Sequence, residues 1–306
     1  SPSATTEEYF LAQALLRGLG SGNIDHRLRQ GDFSDDPASP AAPVFEMPVA
    51  DIATADVILL AGCNPREEAP IVGHRVRQAW RKGAQVSAYN PLDWSFHFET
   101  SLDAIVAPQN LVDSLAGLAG AVERRSGTAA PDELRGVIDG AAASEAAEAL
   151  AERLAGADRG LVLLGQSAQA HGEAAWLRSL AHYIAGATGA ALDVLTHGGN
   201  SRGAWLAGAV PHRGPGGAAA SAGGLQGSVV DGRTVDVIVC RAPSCTHVPC
   251  ATLFRSLAQP AREGLRVEGW PRPGQPARDR EAAAHRRWQF EGRDERVDVG
   301  ARRLQA

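Results

Sequence analysis

The chain has 306 residues, 44% hydrophobic and 21% charged, a globular composition with room for one large or two smaller domains. No apolar run reaches the roughly 18 residues that span a bilayer, so direct membrane insertion is not expected. A net charge of −5 argues against a nucleic-acid partner, which demands clustered positive charge. Four cysteines and no secretory segment at Ser1 leave no disulfide framework and point to a cytoplasmic setting.

In chain order, Thr5-x-x-Glu8 forms a capping box before Leu11, Leu15, Leu16 and Leu19, an apolar stripe closed by Gly20. A helix so close to Ser1, which is no initiator, reads as the interior of a longer protein. A polar stretch from Ser21 to Gln30 and an Asp/Ser/Pro-rich connection to Pro48 follow. Val57–Ala61 predicts a buried strand, Gly62-Cys-Asn-Pro65 a loop, and Val72, Val76, Ala79 and Trp80 a helix. Glu67 and Glu68 fall at the start of that helix and Arg81 and Lys82 at its end, complementing its dipole, with Gly83 as the stop. A second strand at Gln85–Tyr89 completes a βαβ unit, whose strands are parallel.

The alternation continues with a strand at Asp103–Ala107, a helix from Asn110 to about Arg125, and a flexible Ala-rich connection over Gly127–Ala143. A second block begins with Leu161–Leu164, a helix striped by Leu177, Leu180, Ala181 and Ile184, and a strand at Ala191–Leu195. The pattern is α/β, with lobes expected at about 45–126 and 158–239. A last strand is predicted at Val235–Val239. Beyond it the periodicity fails, and residues 240–306 carry 13 arginines against 8 acidic side chains. A basic tail, an unusual folded end and an out-of-frame translation all fit this tract. Its Arg/Pro/Ala/Gly mixture favours the last, supported by Thr252-Leu-Phe-Arg-Ser256, which one frame of a common sequencing adapter encodes.

Two loops are candidate sites. Gly62-Cys-Asn-Pro-Arg-Glu-Glu-Ala-Pro70 follows a parallel strand and opens a helix, where backbone amides and the helix dipole favour phosphate. It is not a G-x-G-x-x-G fingerprint, and a tight βα turn with Pro70 in the first helical turn satisfies the same pattern. The second loop, from His197 to Gly217, contains Asn200, Ser201 and Gly203 among glycines that permit close backbone approach. Cys63 has no partner at zinc spacing and reads as an inert thiol. Cys240, Cys245 and Cys250 match no cluster spacing. His26, beside Asp25, Arg27 and Arg29, reads as a hydrogen-bonded contact before a catalytic group, and His74 as solvated.

Gly20–Gln30, Gly62–Arg77, Leu164-Gly-Gln166 and Gly198–Gly217 together resemble the large iron-sulfur subunit of bacterial NADH-quinone oxidoreductases, the respiratory complex I family. The resemblance covers about residues 1–239. It implies Rossmann-like parallel-sheet lobes of the molybdopterin oxidoreductase type, iron-sulfur clusters held N-terminal to this stretch, and the other peripheral-arm subunits as partners. It also implies a position at the inner face of the bacterial plasma membrane. In related molybdenum enzymes of the formate dehydrogenase type, matching loops hold a molybdopterin guanine dinucleotide. That similarity points to Gly62, Asn64, Pro65 and Glu67, and to Asn200, Ser201 and Gly203, as ancestral cofactor-binding residues. Asn90 replaces an Asp of those enzymes and Gly199 an Asn. The complex I resemblance implies a scaffold from which the cofactor has been lost, with no catalytic residue and no metal ligand here.

Overall fold

A computed structural model describes residues 2–27, 31–43 and 45–220. The expectations for the strand at 235–239, for Cys240, Cys245 and Cys250, and for the tract 240–306 fall outside the described residues. The chain opens on α1 (Thr6–Gly18), started by the expected capping box. Thr5 Oγ1 accepts from the Glu8 amide at 3.2 Å, and the Thr5 amide donates to Glu8 Oε2 at 3.0 Å. The buried face differs from the expected stripe. Tyr9, Gln13 and Leu16, spaced i, i+4 and i+7, turn inward, whereas Leu11, Leu15 and Leu19 are 66%, 48% and 51% exposed. The helix has two apolar faces, and the one holding Tyr9 and Leu16 packs with Ile24, Ala204 and Ala207.

The main body alternates strands and helices. In order these are β1 (Val57–Ala61), α2 (Pro65–Glu68), α3 (Pro70–Arg81), β2 (Gln85–Asn90), β3 (Leu102–Ile105), α4 (Leu111–Ser126), α5 (Asp132–Ile138) and α6 (Glu145–Ala155). Then come β4 (Gly160–Leu164), α7 (Gln166–Gln169), α8 (Ala174–Thr188), β5 (Ala191–Val194) and α9 (Ser201–Leu206). All strand pairs are parallel, in the order β3-β2-β1-β4-β5. Within the described residues, the blocks expected as lobes at 45–126 and 158–239 share this one sheet, because β1 pairs on one side with β2 and on the other with β4. Val57 lies opposite both Gln85 and Gly160.

Burial on both faces explains the continuous apolar runs. Val57, Leu59, Ala61, Val162 and Leu164 pack under α4, α6 and α8 through Leu115, Leu118, Leu150, Leu154, Leu177 and Leu180. Ile58, Leu60, Val86, Leu161 and Leu163 face Val72, Val76 and Ala79 of α3. β3 is the exception. It borders β2 alone, its side chains alternate between half-buried and exposed, and it ends at Ile105 because Pro108 starts a 3-10 turn.

Two further differences matter. The helix expected across Glu67 and Glu68 is broken at Ala69 (φ −150°), which ends α2 and precedes Pro70 at the first turn of α3. The connection expected over 127–143 contains α5, whose Leu134 and Ile138 are buried against α4. The carboxyl ends of β1 and β4 meet where the chain's progression across the sheet reverses, the switch point at which open α/β sheets place ligands.

Candidate functional site

The loop after β1 begins at Gly62, whose φ of +54° belongs to the left-handed region. The same position is sterically closed: a Cβ there would come 2.6 Å from the Ala168 nitrogen. Across the switch point, a Cβ at Gly165 would come 2.3 Å from Cys63 Cα. The two βα loops therefore touch main chain to main chain, with the Gly165 amide donating to Ala61 O at 3.0 Å and the Ser167 amide to Gly62 O at 3.1 Å.

Asn64 caps α2 without a side-chain bond to it, and Asn64 Oδ1 is buried without a partner. Pro65 is buried at the first position of α2. Glu67 is largely exposed, 3.9 Å from Arg66. The carboxylate that joins the loops belongs to its neighbour Glu68. Glu68 Oε1 accepts from the Asn64 amide and Oε2 from the Gln166 amide, both at 2.7 Å. Burial pushes the Glu68 pKa above the ordinary carboxylate value, and the two amides oppose that shift. Cys63 is fully buried, and burial, helped by the nearby Glu68 charge, holds its thiol well above the ordinary range. That is the environment of an unreactive sulfur. Asn90 ends β2 at 1% exposure, and its Oδ1 accepts from the Cys63 amide at 2.8 Å.

The second loop follows β5 and is bound by the chain's own first residues. The Asn200 amide donates to Pro2 O at 2.9 Å, and Asn200 Nδ2 donates to Ala4 O at 2.8 Å and Thr6 Oγ1 at 3.2 Å. Gly203 sits in that contact, since a Cβ there would lie 2.4 Å from Thr6 Oγ1. Ser201 shares a 2.8 Å hydrogen bond with His26 Nε2, while His26 Nδ1 lies 3.0 Å from Ala209 O. Burial lowers the pKa of His26, which favours the neutral imidazole with Nδ1 as donor and Ser201 donating to Nε2. His26 is thus a link between the 21–27 stretch and α9. Gln166 links the two loops, its Oε1 lying 3.2 Å from His197 Nδ1.

Two cavities border these loops. One of about 290 Å³ is lined by Asn64, Glu67, Glu68, Trp94, Gln166, Ser167 and Ala170. The other, about 520 Å³, lies beside Ser201, His197, His26, Arg27, Phe33 and Trp205. Its cations are already matched. Arg27 bonds Asp25 and Asp36 at 2.8 Å and covers the Phe33 ring at 3.8 Å, and Arg178 pairs with Asp35. Burial alone would depress the Arg27 pKa, but the two carboxylates outweigh it. This network was not legible in the sequence, because Arg178 lies 143 residues from Asp35 and the segment from Asp25 to Asp36 carries no motif that points to it. Among the described residues no group of His, Cys, Asp and Glu is arranged to hold a metal ion, and no helix is long and apolar enough to cross a membrane.

A dinucleotide cofactor would need the amides and glycines of these loops. As arranged, Glu68 holds the Asn64 and Gln166 amides and Pro2, Ala4 and Thr6 hold Asn200, so such a group does not fit without displacing these internal partners.

The chain is similar to a NADH-quinone oxidoreductase subunit of Rickettsia felis, 32% identical over 80 residues that make up 26% of this chain and 12% of that protein. The corresponding protein of Rickettsia conorii is 34% identical over 73 residues, 24% of this chain and 11% of that one. The chain thus spans about an eighth of the length of these relatives. Among solved structures, a chain of the formyltransferase/hydrolase complex of Methylorubrum extorquens is 18% identical with a TM-score of 0.38, covering 63% of this chain and 51% of that one. The molybdopterin oxidoreductase family model matches residues 1–204. With more than half its length matched by that model, and a parallel α/β sheet beneath it, the chain belongs to the molybdopterin oxidoreductase family.

Proposed function

We propose that this chain is a scaffold segment of the large iron-sulfur subunit of a respiratory NADH-quinone oxidoreductase. In this reading the parent enzyme passes electrons from NADH to quinone through clusters held elsewhere in the subunit, and this segment shapes and supports that path without a catalytic residue of its own. The observation that carries it is the likeness to the rickettsial NADH-quinone oxidoreductase subunits at 30–34% identity, joined to a Glu68 carboxylate that holds amides of both the β1 and β4 loops. The partners are then the other peripheral-arm subunits, and the location is the cytoplasmic face of the membrane.

The alternative is a molybdopterin-dependent oxidoreductase of the formate dehydrogenase type. The family match and the position of Gly62–Pro65 and Asn200–Gly203 at the carboxyl edge of the sheet favour it. Affinity purification of the parent subunit from detergent-treated membranes separates the two. The scaffold reading expects an assembly that oxidises NADH and reduces quinone. Recovery of an assembly that oxidises formate and ignores NADH contradicts it.

A further inference from the structure

We infer that the Glu68 carboxylate occupies the place of a phosphate at the switch point between β1 and β4, so that the chain closes its own dinucleotide loop and excludes anionic ligands. The inference rests on the scaffold reading above and names the residue that enforces it.

Backbone amides at the carboxyl edge of a parallel sheet are the groups a nucleotide phosphate uses. Here the amides of residues 62–64 and 165–168 all have internal acceptors. Gly62 donates to Tyr89 O at 2.8 Å, Cys63 to Asn90 Oδ1 and Asn64 to Glu68 Oε1. Across the seam, Gly165 donates to Ala61 O, Ser167 and Ala168 to Gly62 O, and Gln166 to Glu68 Oε2. Of these donors only Cys63, Asn64 and Gln166 are held by side chains, and the last two by the same one. One carboxylate therefore bridges amides from two separate βα loops, as a phosphate bridging them would. Such charge-assisted bonds are stronger than neutral ones.

The neighbouring cavity argues the same way. Its lining includes two carboxylates, Glu67 and Glu68, and no Lys, Arg or His, so a phosphate entering it meets like charge in a half-enclosed space. Asn64 Oδ1, buried there without a partner, is an acceptor, and the donors of the lining, on Asn64, Trp94, Gln166 and Ser167, are all neutral. Pterin-dinucleotide binding at this loop would require Glu68 to leave both amides and then to share the cavity with the phosphate it resembles.

Amide hydrogen exchange of the full chain, with and without millimolar inorganic pyrophosphate, tests this. In the wild type the Asn64 and Gln166 amides should be protected, and pyrophosphate should change neither their exchange nor the melting temperature. In Glu68→Ala both amides should exchange at least about tenfold faster, the loss of about one charge-assisted hydrogen bond each, while Ser167 keeps its protection. Should Glu68→Ala not fold, Glu68→Gln retains one acceptor oxygen and should release only one of the two amides. Unchanged protection of both amides in the folded variant overturns the inference. So does a wild-type chain stabilised by pyrophosphate. A failure of the scaffold reading would instead appear as formate oxidation by the parent assembly, so the two failures are read separately.

Discussion

Asp193 lies in β5 with no solvent exposure; its Oδ1 accepts from the Glu46 and Met47 amides at 2.7 and 3.3 Å, while Oδ2 has no partner. Burial pushes its pKa up to about 6 from 3.8, against the pull of the two amides. The folded state therefore holds this proton more tightly than the unfolded state, and stability falls as pH rises from about 4 to about 6. Asp193→Asn keeps an acceptor for both amides and carries no charge. Urea melts at pH 4.5 and pH 7 should show the variant gaining on the wild type by on the order of 2 kcal/mol at the higher pH. A parallel pH response in both proteins would contradict the assignment. Gly62→Ala should cost about 3 kcal/mol, since it combines a left-handed φ with contact on the Ala168 main chain; a neutral effect on the midpoint would show that the two loops do not touch. At this scale the sequence located the loops but not the working carboxylate. Glu67 and Glu68 are adjacent and chemically identical; Pro70 marks the break at Ala69, but nothing in the sequence says which of the two carboxylates it turns inward.

For the elements, strand positions were legible wherever burial is two-sided. β1, β2, β4 and β5 fall within a residue of the expected spans; β1 and β4, buried throughout between helices, are the clearest because they are continuously apolar. β3 was legible as a strand but not as a half-exposed one. α1 shows where periodicity runs out. Its sequence carries two apolar faces, and the choice between them is made by α9 and Ile24, which helical spacing within α1 does not encode. Leu16→Ala should cost about 2–3 kcal/mol, as for a buried leucine, whereas Leu11→Ala should stay within about 0.5 kcal/mol. Equal costs at the two positions would mean that the helix buries a different face. Thr5→Ala removes the N-cap and should cost about 1 kcal/mol in the same melts.

Across the molecule, the direct pairing of β1 with β4 makes the first and second blocks one sheet, although the sequence presents them as two similar units with nothing to mark the seam. Both blocks are apolar in the same way, and only pairing joins them. Leu163→Ala, in the second block and fully buried, should therefore raise amide exchange at Val86 and Ala88 of β2 as well as in β4. Two separated melting transitions, with β2 unaffected, would restore independent lobes. The same seam brings the loops of β1 and β4 together, and under the scaffold reading proposed above this closure, together with Pro2–Thr6 seated on the Asn200 loop, is what keeps a dinucleotide out. The most direct test is metal analysis of the parent subunit purified from its own cells. Closed loops and a complex I role predict iron without stoichiometric molybdenum, and about one molybdenum per chain, with a pterin released on denaturation, would contradict the account.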